Sequence, residues 1–195
     1  PLWTPKTPAS DKEIGYIGSA RFSKTYPIKS FIEAGAKTAF HSDYPVSPSF
    51  SVPMSVYSAA KRNLPEEIVK AAKLDGKVSA NNLGEATNRK DAVLSMTKNV
   101  AYMWHQEDNL GLLEVGKVGN MSVFDVDLIN GDIDDLPYGS CVATIVDGEE
   151  VYNAGTIDPD EVHKHLYEFI MELIYIFKKK KRNPIGFLFF IDSDN

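Results

Sequence analysis

The chain has 195 residues, of which 43% are apolar and 25% charged, a balance typical of one globular domain with short appendages. A formal net charge of −6 argues against a general nucleic-acid-binding protein. The single cysteine, Cys141, excludes an intrachain disulfide and a paired-cysteine metal motif, and suits a reducing, cytoplasmic location.

The N-terminal 26 residues are mostly polar and contain three prolines at positions 1, 5 and 8, which predicts a loop with one short helix. No initiator methionine and no secretory signal pattern is present, so we expect an N-terminus cut from a longer polypeptide. The longest apolar stretch, residues 166–177, contains Glu168 and Glu172. It falls short of the roughly 20 apolar residues that a membrane span requires, so no membrane partner is expected.

A helix, a glycine and a short strand are predicted next. Residues 28–34 have helical apolar spacing after Pro27, and Gly35 is a helix stop. Residues 36–40 have the pattern of a buried strand, which places Asp43 at its C-terminal end, just before Pro45. Catalytic and metal-binding groups collect at such strand ends in barrel enzymes, although Asp also commonly opens a turn. Position alone leaves both interpretations open.

His41 and Asp43 are two residues apart, so on a strand their side chains would share one face and could share a metal ion or a proton. A catalytic zinc site needs about three protein ligands. His105 ends an apolar helix and is better suited to its C-terminal dipole. His163 and His165 are two apart in a predicted helix and do not share a face. The residues alone therefore indicate one site carboxylate in an incomplete site.

Three helices are predicted in the middle of the chain. They cover residues 54–62, a segment that begins at residues 64–67, and residues 88–104, where Asn88 could cap the helix with Asp91 three residues on. A small β element follows over residues 111–154, with strands at 121–126, 141–146 and 149–152. The last two flank Asp147-Gly148, a strong hairpin signal.

The acidic segment between the first two of these strands invites a calcium interpretation. It fails the EF-hand pattern because Ile129 stands where the third oxygen ligand belongs and Gly131 is displaced, so a solvated loop is predicted instead. A further helix is predicted at residues 161–177, followed by a basic run at 178–182. Such a run could bind an anionic membrane, but the glutamates of the helix favour a solvated helix end.

Several short motifs follow one another along the chain. They are Tyr26-Pro27-Ile28-Lys29-Ser30, Gly35, Ser42-Asp43-Tyr44-Pro45-Val46, the helix with Thr97, Asn99 and Ala101, the turn Glu107-Asp108-Asn109-Leu110-Gly111-Leu112-Leu113-Glu114-Val115-Gly116-Lys117, and the strand and hairpin that follow. In this succession they resemble the end of the barrel in metal-dependent amidohydrolases of the YtcJ-like type (amidohydrolase family 3), over roughly residues 18–153.

The resemblance implies an α/β fold, namely a C-terminal fragment of a TIM-like metal-dependent hydrolase barrel plus a small composite β-sandwich domain. Residues 1–107 would be the end of the barrel, with its last strand and following helices. Residues 108–156 would belong to the composite β-sandwich, and residues 157–195 would be a C-terminal helical tail of unassigned role.

The resemblance also implies a chemistry. The family hydrolyses C–N bonds of small-molecule amides or cyclic amides with one or two divalent metals, for which zinc is the expectation here. Asp43 takes the role of the family's last-strand aspartate, which binds the metal and accepts a proton from the attacking water. His41 and Tyr44 are the candidates for substrate binding.

The departures from the family pattern give an alternative. His41 stands where the family usually has a small residue, Tyr44 replaces a tryptophan, and Asn120 replaces an aspartate. The family's other metal ligands would lie upstream of Pro1, so this fragment is expected to be inactive alone and to hold no metal. The alternative is a non-catalytic, truncated structural or binding module. An open barrel edge could pair with another chain, which allows a homo-oligomer.

Overall fold

A computed structural model describes residues 1–46 and 50–155, together with the backbone of residues 189–190. The predicted tail helix at residues 161–177 and the basic run at 178–182 lie outside the described residues. The helices are α1 (Ser10–Ile17), α2 (Ser19–Phe22), α3 (Ile28–Glu33), α4 (Val52–Lys61), α5 (Glu66–Ala71), α6 (Arg89–Met96) and α7 (Lys98–Met103). The strands are β1 (Met121–Phe124), β2 (Cys141–Val146), β3 (Glu149–Asn153) and β4 (Phe189–Phe190).

Helix α4 forms the centre of the core. The hydroxyl of Ser51 accepts a hydrogen bond from the Met54 N–H at 3.2 Å, and a proline in the first turn suits the helix start. Helix α6, strand β1 and the loop that follows it pack against α4 through fully buried side chains such as Leu128 and Leu136. One apolar cluster thus joins residues on both sides of position 107. The predicted domain boundaries remain a prediction.

The prediction of one helix over residues 88–104 is wrong in its length. The cap at Asn88 is confirmed, since its side-chain oxygen accepts the Asp91 N–H at 2.8 Å. The helix breaks at Thr97, whose φ of −124° and ψ of −88° are not helical, and α7 starts at the next residue. The apolar spacing of the sequence runs through the break, so periodicity did not reveal it.

The sheet has the strand order β3-β2-β1-β4, in which β1 and β4 run parallel and the other pairs antiparallel. The hairpin predicted at Asp147-Gly148 is confirmed, because both residues have positive φ values of 53° and 81°, as a tight two-residue turn requires. The Asn120 side chain also accepts the Asp147 N–H at 2.8 Å. Side chains alternate along β1, so Phe124 joins the helical core while Val123 belongs to a second cluster with β2.

The strand predicted at residues 36–40 is not formed. Helix α3 and the glycine stop are confirmed, with Gly35 at a φ of 84°, and the segment that follows has no regular secondary structure. A buried parallel strand needs neighbouring strands for its backbone hydrogen bonds. No described strand pairs with this segment, and its Phe40 N–H instead donates to the carbonyl of Ser95 at 2.8 Å. The described residues therefore show a mixed helical and β architecture.

Across the described part of the chain, no helix is long and apolar enough to cross a membrane.

Candidate functional site

The segment that leads to Asp43 lies against the junction of α6 and α7. The carbonyl of Ser95 accepts the Phe40 N–H, and the hydroxyls of Ser95 and Thr38 are 2.9 Å apart. The side-chain amide of Asn99 donates to the Thr38 carbonyl at 2.9 Å. The ammonium of Lys37 lies 3.3 Å from the centroid of the Tyr102 ring. Helical residues thus fix the chain just before the candidate site.

Asp43 and His41 are brought together, but not by the strand that was predicted. The Asp43 N–H donates to Nδ1 of His41 at 3.0 Å, and Asp43 has a φ of 60°, in the left-handed region that Asp tolerates. Because Nδ1 accepts, a neutral imidazole would carry its proton on Nε2. Both residues are exposed, and no described residue donates a hydrogen bond to the Asp43 carboxylate.

Tyr44, the other substrate-binding candidate, is 60% exposed. Its ring meets that of Phe50 edge to face, with the centroids 5.3 Å apart, and its N–H donates to the Ser42 hydroxyl at 3.2 Å. Phe50 and Val46 are also largely exposed. Asp43 is therefore flanked on its C-terminal side by apolar side chains that are open to a further molecule or chain segment.

The acidic loop between β1 and β2 is confirmed as a loop, and three of its carboxylates serve its own turns, while Asp134 pairs with Lys61 of α4 at 3.3 Å. Asp127 accepts the N–H groups of Ile129 and Asn130, both at 2.8 Å. Asp132 and Asp125 likewise accept backbone N–H groups within the loop or at its end. Such side-chain-to-backbone bonds are what Asp commonly makes in turns.

A metal ion at Asp43 would need about three protein ligands. Among the described residues, no three His, Cys, Asp or Glu side chains are grouped so that they could hold an ion. His41 adds one further donor at most, because its Nδ1 is already hydrogen-bonded to the backbone of Asp43. The described residues do not fit a metal by themselves, and no catalytic step through a metal follows from their geometry.

Sequence reasoning missed the roles of Ser95 and Asn99. Asn99 belongs to a motif that the resemblance singled out, but its contact with Thr38 spans 61 positions and no local pattern predicts it. A groove of about 610 Å³ between α6–α7 and the sheet was missed as well. Its lining is mainly apolar, with Trp104 and Phe124 among the lining residues, and it includes none of the predicted site residues.

The model for the amidohydrolase family matches residues 7–152, which is more than half of the chain and includes the whole of the candidate site. No curated protein matches the chain.

Proposed function

Because this chain belongs to the amidohydrolase family, we propose that it takes part in the hydrolysis of C–N bonds of amides or cyclic amides, with Asp43 as an active-site carboxylate. Family membership supports a hydrolase function in the broad sense. The bond type, the role of Asp43 and the closer kinship with the YtcJ-like type are the proposal.

The observation that carries the proposal is the state of Asp43. Its backbone is held by His41 and by the anchored segment before it, whereas its carboxylate is exposed and accepts no hydrogen bond from the described residues. Asp127, by contrast, uses its carboxylate to accept the N–H groups of Ile129 and Asn130. Asp43 is thus available to accept a proton from a water molecule that attacks a carbonyl carbon. His41 Nε2 and Tyr44 are proposed to contact the substrate.

The family uses divalent cations, and we propose zinc for this protein. Ligands besides Asp43 would have to come from residues beyond those described here, since the described ones hold no group of three. We expect the 195-residue chain to be inactive where those ligands are missing.

The second candidate is a non-catalytic structural or binding module. It is favoured by the same lack of a ligand group in the described residues and by the exposed apolar side chains of Tyr44, Val46 and Phe50. This candidate requires no role for the Asp43 carboxylate, so that residue separates the two functions.

The test is hydrolysis of a panel of simple amides and cyclic imides by the polypeptide that carries this sequence, whether of 195 residues or longer, with zinc supplied. Asp43→Asn should lower kcat/KM by about 10²-fold or more, as expected for loss of a general base. Asp75→Asn, at an exposed site, is the matched control and should change the rate by less than about twofold. Equal rates for both variants would contradict the catalytic role of Asp43. No turnover by any length of the polypeptide would favour the binding module.

A further inference from the structure

We propose that Asn99 is a positioning residue for Asp43, and that it acts by holding the segment at residues 37–40 against the break between α6 and α7. The proposal rests on the function proposed for Asp43, but its geometry stands on contacts that do not involve a substrate.

The break at Thr97 creates the anchor. In one continuous helix the carbonyl of Ser95 would accept the N–H of Asn99, four residues further on. The non-helical backbone of Thr97 interrupts that ladder, and the Ser95 carbonyl accepts the Phe40 N–H at 2.8 Å instead. The Thr97 hydroxyl donates to the Val93 carbonyl at 3.0 Å, so this carbonyl near the break also has a hydrogen-bond donor.

Asn99 supplies the donor that a carbonyl of the segment needs. The side-chain nitrogen of Asn99 lies 2.9 Å from the carbonyl oxygen of Thr38. The hydroxyl of Thr38 lies 2.9 Å from the hydroxyl of Ser95, which is fully buried. Together with the bond from the Phe40 N–H, these contacts hold the backbone at both ends of residues 38–40. A donor is needed at position 99 because the acceptor is a carbonyl, and an ionised carboxylate there would present no proton.

The anchor ends close to the candidate catalytic group. Thr38, Ala39 and Phe40 are half-buried, whereas His41 and Asp43 are exposed. Asp43 follows Phe40 by three positions, so its Cα lies within about 11 Å of the Cα of Phe40, whose N–H makes the last anchoring bond. Release of the segment would therefore move Asp43, and displacement of a reacting group by about 1 Å can lower a rate by about 10²-fold.

The experiment compares the 195-residue chain with Asn99→Asp, which keeps the size of the side chain but removes the amide donor, and with Asn99→Ala. Asn109→Ala is the control, since the Asn109 side chain is exposed and makes no hydrogen bond within the described residues. Hydrogen exchange by NMR at the Phe40 amide and the ¹⁵N order parameter of the Asp43 N–H are the readouts.

Both Asn99 variants should exchange the Phe40 amide about fivefold faster, the change expected for loss of one hydrogen bond, and should lower the order parameter at Asp43. Amides of Val123 and Ala143 in the sheet should not change. Unchanged exchange at Phe40, or equal acceleration at Phe40 and in the sheet, would overturn the proposal, the second because it would show a loss of global stability only.

A turnover assay then separates this proposal from the function proposed above. In a hydrolytically active polypeptide, Asn99→Asp should lower kcat about tenfold or more with KM within about twofold of the wild-type value. If exchange is accelerated but Asp43→Asn does not affect turnover, the anchor stands and the catalytic role of Asp43 fails. If Asp43→Asn abolishes turnover but Asn99→Asp leaves both Phe40 exchange and kcat unchanged, the positioning role fails and the catalytic role stands.

Discussion

The Nε of Arg62 donates to the carbonyl oxygen of Asn81 at 2.6 Å, in an arginine side chain that is fully buried. The rest of the guanidinium reaches the carbonyls of Thr25, Tyr26 and Glu85 at 3.1 to 3.5 Å. Burial lowers the pKa of Arg62, and the charge of Glu85 partly opposes that shift. In the described contacts the guanidinium of Arg62 thus donates its hydrogen bonds to backbone carbonyls. These bonds connect the loop before α3 to the loop before α6.

Replacement of Arg62 should therefore be among the most destabilising changes in the described part of the chain. Arg62→Met keeps the apolar stem but leaves the carbonyls of Asn81 and Glu85 without a donor, whereas those of Thr25 and Tyr26 keep the donors Asn82 and Ile28. We expect a loss of about 3 kcal/mol in the free energy of unfolding. Arg62→Lys keeps the charge but cannot span the same carbonyls, so a loss of about 2 kcal/mol is expected. Urea denaturation followed by circular dichroism measures both changes.

Arg21→Lys is the matched control for Arg62. Arg21 is exposed, and its substitution should change the free energy of unfolding by less than about 0.5 kcal/mol. A result in which Arg62→Lys is as mild as Arg21→Lys would show that the charge alone, and not the shape of the guanidinium, is what the site requires.

Glu85 connects the loop that Arg62 contacts to helix α3, and its carboxylate makes the stability of the fold depend on pH. Its carboxylate accepts the Ser30 N–H at 2.8 Å and the Ser30 hydroxyl, near the start of α3. These bonds lower the pKa of Glu85 below its usual value of 4.5. Because the folded-state pKa is the lower one, the contribution to stability is complete above about pH 4.5 and disappears as the pH falls through the folded-state value.

Glu85→Gln should therefore cost at most about 1 kcal/mol at pH 7, since the carboxylate is screened by solvent. The difference from the wild-type protein should shrink steadily below about pH 4.5. Thermal or urea unfolding at pH 7, 5, 4 and 3 measures it. Glu33→Gln, which breaks an exposed pair with Lys29 at 3.7 Å, should show a smaller effect at pH 7. A gap between Glu85→Gln and wild type that stays constant down to pH 3 would contradict the assignment.

The sequence predicted correctly those features of the fold that depend on residues close together in the chain. The cap at Asn88 and the turn at Asp147-Gly148 depend on neighbouring residues, and the structure confirms both. The segment at residues 36–40 has the composition of a strand, but a strand forms only where another strand supplies partners, and the described residues supply a helix carbonyl instead. The role of Asp43 stays a prediction for a similar reason, because the rest of its site is determined by groups distant in sequence. Arg62 gave no signal, since no sequence pattern reveals which carbonyls will surround a side chain.

Gly111 tests the turn that supports the family resemblance. It has a φ of 89°, and a Cβ placed there would lie 2.7 Å from the Cβ of Ala101 and 3.0 Å from the Cα of Lys98. Gly111→Ala therefore combines an unfavourable backbone conformation with a steric overlap against α7. Gly116 has a φ of 95° but nothing within 4 Å of the added Cβ, so Gly116→Ala carries the backbone cost alone. We expect a loss of about 1 kcal/mol for Gly116→Ala and about 1–3 kcal/mol more for Gly111→Ala, because the overlap must be relieved by movement of the helix backbone. Urea denaturation of both variants measures the difference directly. Equal losses would show that α7 adjusts freely at this contact and that the close approach of the turn to the helix is not what requires glycine.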